Sequence, residues 1–373
     1  LSLPLGRLPL TRCLICAITR SAMWHFQDLA KLPPPPAADQ YTIYPWLQPG
    51  RMLLMVGPAE IGKTTLTLEF CANCLRGGLL WGRYPARKAE KIMYLHGEHS
   101  IYTAGDILKK RKDIPEDKIF IIHGDDFGDD KTLLIPGQYK PNLPFLNHFI
   151  ETINAIKPDI LIVEPITAFL GHSENDNTAV RMAVGILNTM SAKSNTALLT
   201  HHHPGKSYYD PDRIRPKGVP TGEARGAQAF EDASERVLYL KTEARGGALR
   251  IETPKPKGYP VADVRLVRSE SRLIYRLANP QHPEAGADVI SFFSFRLLKP
   301  AMTMAMAVEA LRSHWHCSPS YVYSLAQRGL EAGLLDHDDY KPLPQWQEQA
   351  RLSLLHQKIV ADAFPETDAQ IVT

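Results

Sequence analysis

Short apolar runs alternate along the first half of the chain with segments whose apolar residues recur at helical spacing. The runs predict strands at Arg51–Val56, Lys91–His96, Ile119–Ile122, Asp159–Glu164 and Thr196–Thr200. The helical segments are Lys63–Arg76, Thr103–Arg111, Pro144–Ile156 and Asn177–Met190. This alternation predicts an α/β fold with a mostly parallel twisted sheet that helices cover on both faces.

The pattern changes in the second half of the chain. A polar loop is expected at Pro204–Thr221 and a helix at Gly222–Ala233. Beyond it the apolar period becomes two, which predicts mostly antiparallel strands at Val237–Lys241, Leu249–Glu252, Val264–Val267 and Leu273–Leu277.

The C-terminal part has a different pattern from the rest of the chain. Helices are expected at Ala301–Arg312 and from Pro319 to Glu331, the second with Ser318 as N-cap and Gly333 as its stop. A small wing at Leu334-Leu335 would complete a helix-turn-helix or winged-helix module. A helical lid or an oligomerisation arm fits the same pattern equally well.

Length and charge bound the organisation of the chain. Its 373 residues suit two domains, or one large domain with an appendage. The net charge of +3 creates no global attraction to nucleic acid or membrane. Residues 1–22, ahead of the first methionine, resemble a targeting peptide, translated upstream sequence or a remnant of expression, and we favour the remnant of expression. We expect a poorly ordered leader and Pro-rich linker at 1–40, an ATPase domain at 41–285 and the C-terminal module at 286–373. The chain contains no apolar run long enough to span a bilayer.

Two Cys-x-x-Cys pairs, Cys13/Cys16 and Cys71/Cys74, raise the alternative of a four-thiolate zinc site. Cys71 and Cys74 lie one turn apart on a predicted helix that packs on the sheet, so simple burial is the stronger interpretation. Reduced thiols suit the cytoplasm.

The segment Gly57-Pro-Ala-Glu-Ile-Gly-Lys-Thr64 fits the pattern G-x-x-x-x-G-K-[ST] between a predicted strand and a helix. Its glycines let backbone N–H groups turn toward phosphate oxygens, and the following helix adds its positive dipole end. Lys63 can reach the outer phosphates, and the Thr64 hydroxyl can ligate Mg²⁺. We therefore predict a nucleoside triphosphate site formed by Gly57, Ala59, Glu60, Ile61, Gly62, Lys63, Thr64 and Thr65.

Polar side chains follow three of the predicted strands, where parallel strands converge on a ligand crevice. Glu164 ends a buried strand and is expected to hold Mg²⁺. Glu98 follows another strand and is expected to orient or deprotonate the attacking water. The trio His201–His203 ends a third strand, and a histidine there could sense the γ-phosphate. Alternation along the strand means that adjacent histidines point to opposite faces.

The loop that follows the histidines is basic. It carries Lys206, Arg213, Arg215, Lys217 and Arg225 together with Tyr208 and Tyr209. Cations with nearby aromatic rings suit single-stranded nucleic acid, although a solvated surface loop is the alternative. Its junction with the predicted phosphate sensor favours DNA.

Residues from about 40 to 280 resemble the RecA-like ATPases, and most closely the plasmid RepA-type hexameric replicative DNA helicases. Four segments carry the resemblance in order along the chain: Tyr94–His99, Ile162–Gly171 with Glu174–Asn177, His202–Lys206 and Arg225–Phe230. The resemblance implies a RecA-like P-loop core, ATP and Mg²⁺ as cofactors, single-stranded DNA as partner, and a homo-oligomer in the form of a hexameric ring.

The resemblance also implies roles for individual residues. Glu98 would be the catalytic glutamate and His203 the γ-phosphate sensor, while Lys206 to Arg225 would face DNA in a central channel. Lys255 and Lys257 resemble the cations that such rings insert into a neighbour's nucleotide site, and Arg236 is a weaker candidate. One departure is Glu164, where the family normally has aspartate, so the carboxylate reaches one methylene farther.

Three functions fit these features. The first is an ATP-dependent helicase or translocase that moves on single-stranded DNA in plasmid, phage or mobile-element replication. The second is a recombinase-like ATPase clamp that loads partners without unwinding. The third is a regulator whose C-terminal module recognises a duplex site while ATP gates oligomerisation.

Overall fold

The structure, a computed structural model, describes residues 38–97, 108–109, 111, 113–128, 131–204, 228–242, 249–253, 263–269, 274–277, 289–315 and 317–351. The strands in these residues are β1 Met52–Val56, β2 Gly78–Leu80, β3 Tyr84–Ala86, β4 Ile92–His96, β5 Ile119–His123, β6 Ile160–Glu164, β7 Ala197–His202, β8 Arg236–Thr242, β9 Leu249–Glu252, β10 Val264–Ser269 and β11 Ile274–Leu277. The α-helices are α1 Lys63–Arg76, α2 Leu143–Ile156, α3 Asn177–Ser194, α4 Ala229–Ala233, α5 Val289–Leu298, α6 Met304–Trp315 and α7 Pro319–Glu331.

One sheet holds all the strands except the β2–β3 hairpin, in the order β11-β10-β9-β8-β1-β7-β6-β4-β5. The strands from β8 to β5 in that order run parallel, whereas β9, β10 and β11 are added to β8 antiparallel. This confirms the predicted α/β, RecA-like fold class with a mostly parallel sheet. It also places the ends of β1, β7, β6 and β4 side by side at one edge.

Buried apolar residues form a separate layer on each face of the sheet. One layer packs α1 against strand residues such as Leu53, Ile162 and Leu199. The other packs α2 and α3 against residues such as Leu54, Val163 and Leu198. Because neighbouring strand residues face opposite layers, the position of a residue in its strand decides which helix it meets.

The C-terminal helices follow the core as predicted, with one shift and one addition. The helix predicted at Ala301–Arg312 is α6, which begins at Met304 because the Thr303 hydroxyl accepts a hydrogen bond from the Met306 amide at its start. Helix α5 was not predicted. The bounds predicted for α7 are confirmed, and the Ser318 hydroxyl accepts a hydrogen bond from Tyr321 N–H.

A buried arginine ties this C-terminal part together. Arg296 donates hydrogen bonds to the main-chain oxygens of Met302, Asp339 and Tyr340, and its side chain is fully enclosed. An antiparallel bridge between Leu335 and Pro342 lies where the small wing was expected. The role of this part in DNA binding stays a prediction. No described helix is both long enough and apolar enough to cross a bilayer.

Candidate nucleotide site

The predicted phosphate loop lies between β1 and α1 and has the strained backbone that such a loop requires. Glu60 and Gly62 both adopt left-handed φ values, 63° and 103°. The Lys63 ammonium donates to the main-chain oxygens of Gly57 and Pro58, each at 2.8 Å. The Lys63 ammonium, which is expected to contact the outer phosphates, therefore lies against the main chain of its own loop.

Tyr275 of β11 braces this loop from a distant part of the sequence. Its hydroxyl donates to the Ile61 main-chain oxygen at 3.3 Å. A Cβ added at Gly62 would lie 2.0 Å from the same hydroxyl. The added antiparallel strands thus reach the phosphate loop, and Gly62 is required there by both φ and space.

The two residues expected to hold Mg²⁺ are in direct contact. Thr64, the second residue of α1, donates its hydroxyl to Glu164 Oε1 at 2.6 Å. Glu164 lies at the carboxyl end of β6 with only 13% of its side chain exposed. The Thr64–Glu164 hydrogen bond joins α1 to the carboxyl end of β6.

His201 extends this contact to β7. Its Nδ1 lies 2.7 Å from the same Glu164 oxygen, in a bent approach, and its Nε2 lies 2.6 Å from the Thr67 hydroxyl. The imidazole is 1% exposed. Sequence analysis did not single out His201 from its two neighbours or assign any role to Thr67.

The electrostatics of this site favour an ionised carboxylate. Burial alone would raise the pKa of Glu164, but His201, the Thr64 hydroxyl and the Lys63 ammonium outweigh it and lower that pKa below its usual range. Glu164 is therefore charged at neutral pH, as a cation ligand must be.

These residues fit Mg²⁺, which prefers oxygen ligands and is held in nucleotide sites by one or two carboxylates together with phosphates. Glu164 Oε2 is buried and has no hydrogen-bond partner among the described residues, so one carboxylate oxygen remains for a cation or its water. Thr64 supplies the hydroxyl beside it. When bound, Mg²⁺ would stabilise charge on the phosphate oxygens.

The segment predicted to carry the catalytic glutamate begins beside Glu164. Gly97 follows β4 and donates its N–H to the Glu164 main-chain oxygen at 2.8 Å. A Cβ at Gly97 would lie 2.6 Å from Ala168 Cβ, so the chain needs glycine to leave the strand here. Glu98 itself lies outside the described residues, and its catalytic role stays a prediction.

The histidine trio divides between the two faces of the sheet, as alternation predicted. His201 faces α1, whereas His202 packs against Phe230 on the other face, with ring centroids 4.2 Å apart and the rings tilted by 37°. His203 follows β7 and is half-buried. Its role as γ-phosphate sensor stays a prediction.

Several other predicted residues lie outside the described part of the chain: Lys206, Arg213, Arg215, Lys217, Arg225, Lys255 and Lys257. Arg236, the weaker candidate for a cation acting on a neighbour, opens β8 and is buried. Its pairing with Leu53 puts it at the sheet edge opposite the phosphate loop.

The two described cysteines of the Cys-x-x-Cys pairs are buried, in agreement with the interpretation favoured from the sequence. Cys71 and Cys74 are buried in α1, and burial raises the pKa of Cys71 to about 12. Cys13 and Cys16 lie outside the described residues. Across the described ranges, no group of three or more His, Cys, Asp or Glu side chains is arranged to hold a metal. The Mg²⁺ site considered above is of another kind, with one carboxylate and one hydroxyl.

Two solved structures are similar to this chain. The crystal structure of the RadB recombinase is 14% identical, with a TM-score of 0.42, over 62% of this chain and 92% of that one. A second solved structure, described as an ATPase domain, is 11% identical, with a TM-score of 0.43, over 61% of this chain and 85% of that one. No curated protein matches the chain in sequence.

The family model that matches the sequence covers residues 19–208, just over half of the chain. The matched region includes the phosphate loop, Glu164 and His201, which the structure brings into one network. It is described as the AAA domain family AAA_25. The chain belongs to this family and is a P-loop ATPase, a class that works with ATP and Mg²⁺.

Proposed function

We propose that this ATPase is a DNA helicase or translocase of the RepA type, acting in the cytoplasm in plasmid, phage or mobile-element replication. It would assemble as a hexameric ring and hydrolyse ATP at subunit interfaces while moving on single-stranded DNA. The observation that carries the proposal is the contact between Glu164 and His201, which joins the nucleotide site to β7.

This contact offers a short mechanical route from nucleotide to DNA. His201 belongs to β7, which ends at His202, and the basic segment begins within a few residues at Lys206. Thr64 and Lys63 belong to the phosphate loop and to α1. A rearrangement around the phosphates therefore acts on the strand that leads into the segment proposed to grip DNA.

The chemistry divides among the residues of the loop and the strand ends. In this proposal, Glu98 takes a proton from the attacking water, and Lys63 neutralises charge on the phosphates. His203 senses the γ-phosphate, while Lys255 and Lys257 of one subunit act on the site of its neighbour. Burial of Glu164 and His201 keeps water from weakening the contacts beneath the phosphates.

The proposed DNA contact rests on the composition of the segment after β7. Lys206, Arg213, Arg215, Lys217 and Arg225 supply cations for the phosphate backbone, and the tyrosine pair supplies stacking surfaces. Binding of this kind tolerates many sequences and weakens steeply with salt.

The test measures ATP hydrolysis with and without single-stranded DNA, and displacement of a strand from a forked duplex. We expect stimulation and displacement, and both should be lost when Arg213, Arg215 and Lys217 are replaced together by alanine. Lys193→Ala is the matched control, because this exposed cation lies at the end of α3 next to the opposite sheet edge.

The other outcomes contradict the proposal in different ways. Stimulation without displacement indicates the clamp that loads partners. Slow turnover with sequence-selective duplex binding, lost on deletion of residues 300–373, indicates the regulator. Hydrolysis that ignores DNA, with no displacement, rejects a DNA motor while leaving the ATPase assignment intact.

A further inference from the structure

Four side chains at the nucleotide site form a closed ring of contacts. Thr64 contacts Glu164, Glu164 contacts His201, and His201 contacts Thr67, with every separation between 2.6 and 2.7 Å. Thr64 and Thr67 lie three residues apart on α1, so the helix closes the ring. The ring joins α1 to β6 and β7.

From this ring we infer that His201 is a positioning residue that fixes the Glu164 carboxylate for Mg²⁺. The inference rests on the ATPase part of the proposed function and not on its DNA part. His201 touches neither nucleotide nor reacting atoms in this assignment. It acts through Glu164.

The distribution of contacts over the two carboxylate oxygens supports this role. Thr64 and His201 both approach Oε1, whereas Oε2 is buried and has no hydrogen-bond partner among the described residues. One oxygen thereby accepts the Thr64 hydrogen bond and lies against His201 Nδ1, and the other is kept for the cation. An unanchored glutamate side chain would rotate among several rotamers and lose this orientation.

Thr67 contacts the nitrogen of His201 that faces away from Glu164. A neutral imidazole donates from one nitrogen and accepts at the other. If the Thr67 hydroxyl donates to Nε2, the proton of a neutral imidazole lies on Nδ1, the nitrogen that is 2.7 Å from Glu164 Oε1. The contact with Thr67 therefore ties His201 to the same helix that carries Thr64.

A histidine in contact with a ligand of the metal commonly changes metal affinity when it is replaced. Such outer partners contribute about 10- to 100-fold in metal affinity or activity. His201 is buried and contacts Glu164 directly, so its removal should weaken the Mg²⁺-dependent part of nucleotide binding. Binding of nucleotide without metal depends on the phosphate loop and should change little.

The experiment measures the affinity of the full chain for ADP and for a non-hydrolysable ATP analogue, once with Mg²⁺ and once with EDTA. In His201→Ala we expect about a 10-fold or larger loss with Mg²⁺ and less than about a 2-fold change with EDTA. His201→Asn places an amide near the position of Nδ1 and should recover most of the Mg²⁺-dependent affinity.

Thr200→Val is the matched control for stability. Thr200 precedes His201 in β7 and donates its hydroxyl to the Val163 main-chain oxygen, so this variant removes a buried hydrogen bond elsewhere. It should lower the unfolding temperature without changing the ratio of the two affinities. Thr67→Val should reduce that ratio in the same direction as His201→Ala, by a smaller factor, and replaces His201→Ala if that variant fails to fold.

Equal losses with Mg²⁺ and with EDTA would show that His201 only supports the fold, and no loss at all would show that Glu164 needs no anchor. Failure of His201→Asn to recover affinity would also overturn the inference. The assay contains no DNA. A wild-type protein that binds Mg²⁺ and nucleotide but ignores DNA would reject the motor and leave this inference standing.

Discussion

Replacing Gly62 by alanine tests whether β11 holds the phosphate loop in shape. Gly62 has φ of 103°, and an added Cβ would lie 2.0 Å from the Tyr275 hydroxyl. The left-handed backbone alone costs an L residue about 1–2 kcal/mol. Displacing the tyrosine adds about 1–3 kcal/mol of overpacking. We expect Gly62→Ala to lower the free energy of unfolding by about 2–5 kcal/mol.

Tyr275→Phe separates the two contributions. The phenylalanine keeps the ring but removes the hydroxyl, so the nearest ring carbon, at 3.3 Å, becomes the closest atom to the new Cβ. Alone it should cost about 0.5–1.5 kcal/mol, for the hydrogen bond to Ile61. In its presence, Gly62→Ala should cost only the backbone strain of about 1–2 kcal/mol. The two substitutions are therefore expected to be strongly non-additive.

Urea unfolding followed by fluorescence measures these differences for the wild-type protein, the two single variants and the double variant. The free energies are compared only where the denaturant slope m is the same. Gly185→Ala is the control of opposite sign, because Gly185 is exposed within α3 and an added Cβ meets nothing within 4 Å. It should stabilise the protein by about 0.5–1 kcal/mol. Gly62→Ala should lower the free energy of unfolding by different amounts in the wild-type protein and in the Tyr275→Phe variant. Equal losses would show that the Tyr275 hydroxyl does not exclude a side chain at position 62, and the reasoning would fail.

Three further predictions concern nucleotide chemistry and thiols. Lys63→Ala should weaken ATP binding at least about 10-fold by removing the cation at the phosphates, and unchanged affinity in equilibrium binding would refute its placement. Glu98→Gln should bind ATP normally but turn over about 10²- to 10⁴-fold more slowly, and normal turnover would exclude it as the base. Burial raises the pKa of Cys71 to about 12, so folded Cys71 and Cys74 should resist alkylation at pH 8.5 while half-buried Cys317 reacts. Peptide mass mapping distinguishes the three thiols, and equal rates would contradict their burial.

Local signals were sufficient for most of the parallel core. Helix α1 was predicted with its observed bounds because the loop glycines and Gly77 mark both ends. The β2–β3 hairpin was missed because strands of three residues show no period. Helix α5 was missed because its run Val-Ile-Ser-Phe-Phe-Ser-Phe is apolar on nearly every side, which removes the amphipathic signal.

Some residues of the candidate site could likewise be predicted from local sequence patterns, whereas others depend on contacts that are distant in the sequence. Lys63, Thr64 and Glu164 were predicted because each ends or begins an element with a recognisable pattern. Tyr275 and Thr67 were not, since their importance comes from contacts with residues far away in the sequence. A strand of alternating apolar residues gives no sign that one tyrosine will reach the loop.

The pairing of Glu164 with His201 lies between these cases, because it follows from strand order and alternation once both are known. β6 and β7 are parallel neighbours, and their register pairs Val163 with Thr200, so the next residue of each strand projects to the same face. At this edge the next residues are Glu164 and His201. The methylene by which glutamate exceeds aspartate extends the carboxylate from the strand end, where it meets Thr64 and His201 together. Glu164 and His201 therefore belong to one arrangement. Glu164→Asp should lose affinity for the Mg²⁺ nucleotide much as His201→Ala does. The double variant should lose little more affinity than either single variant.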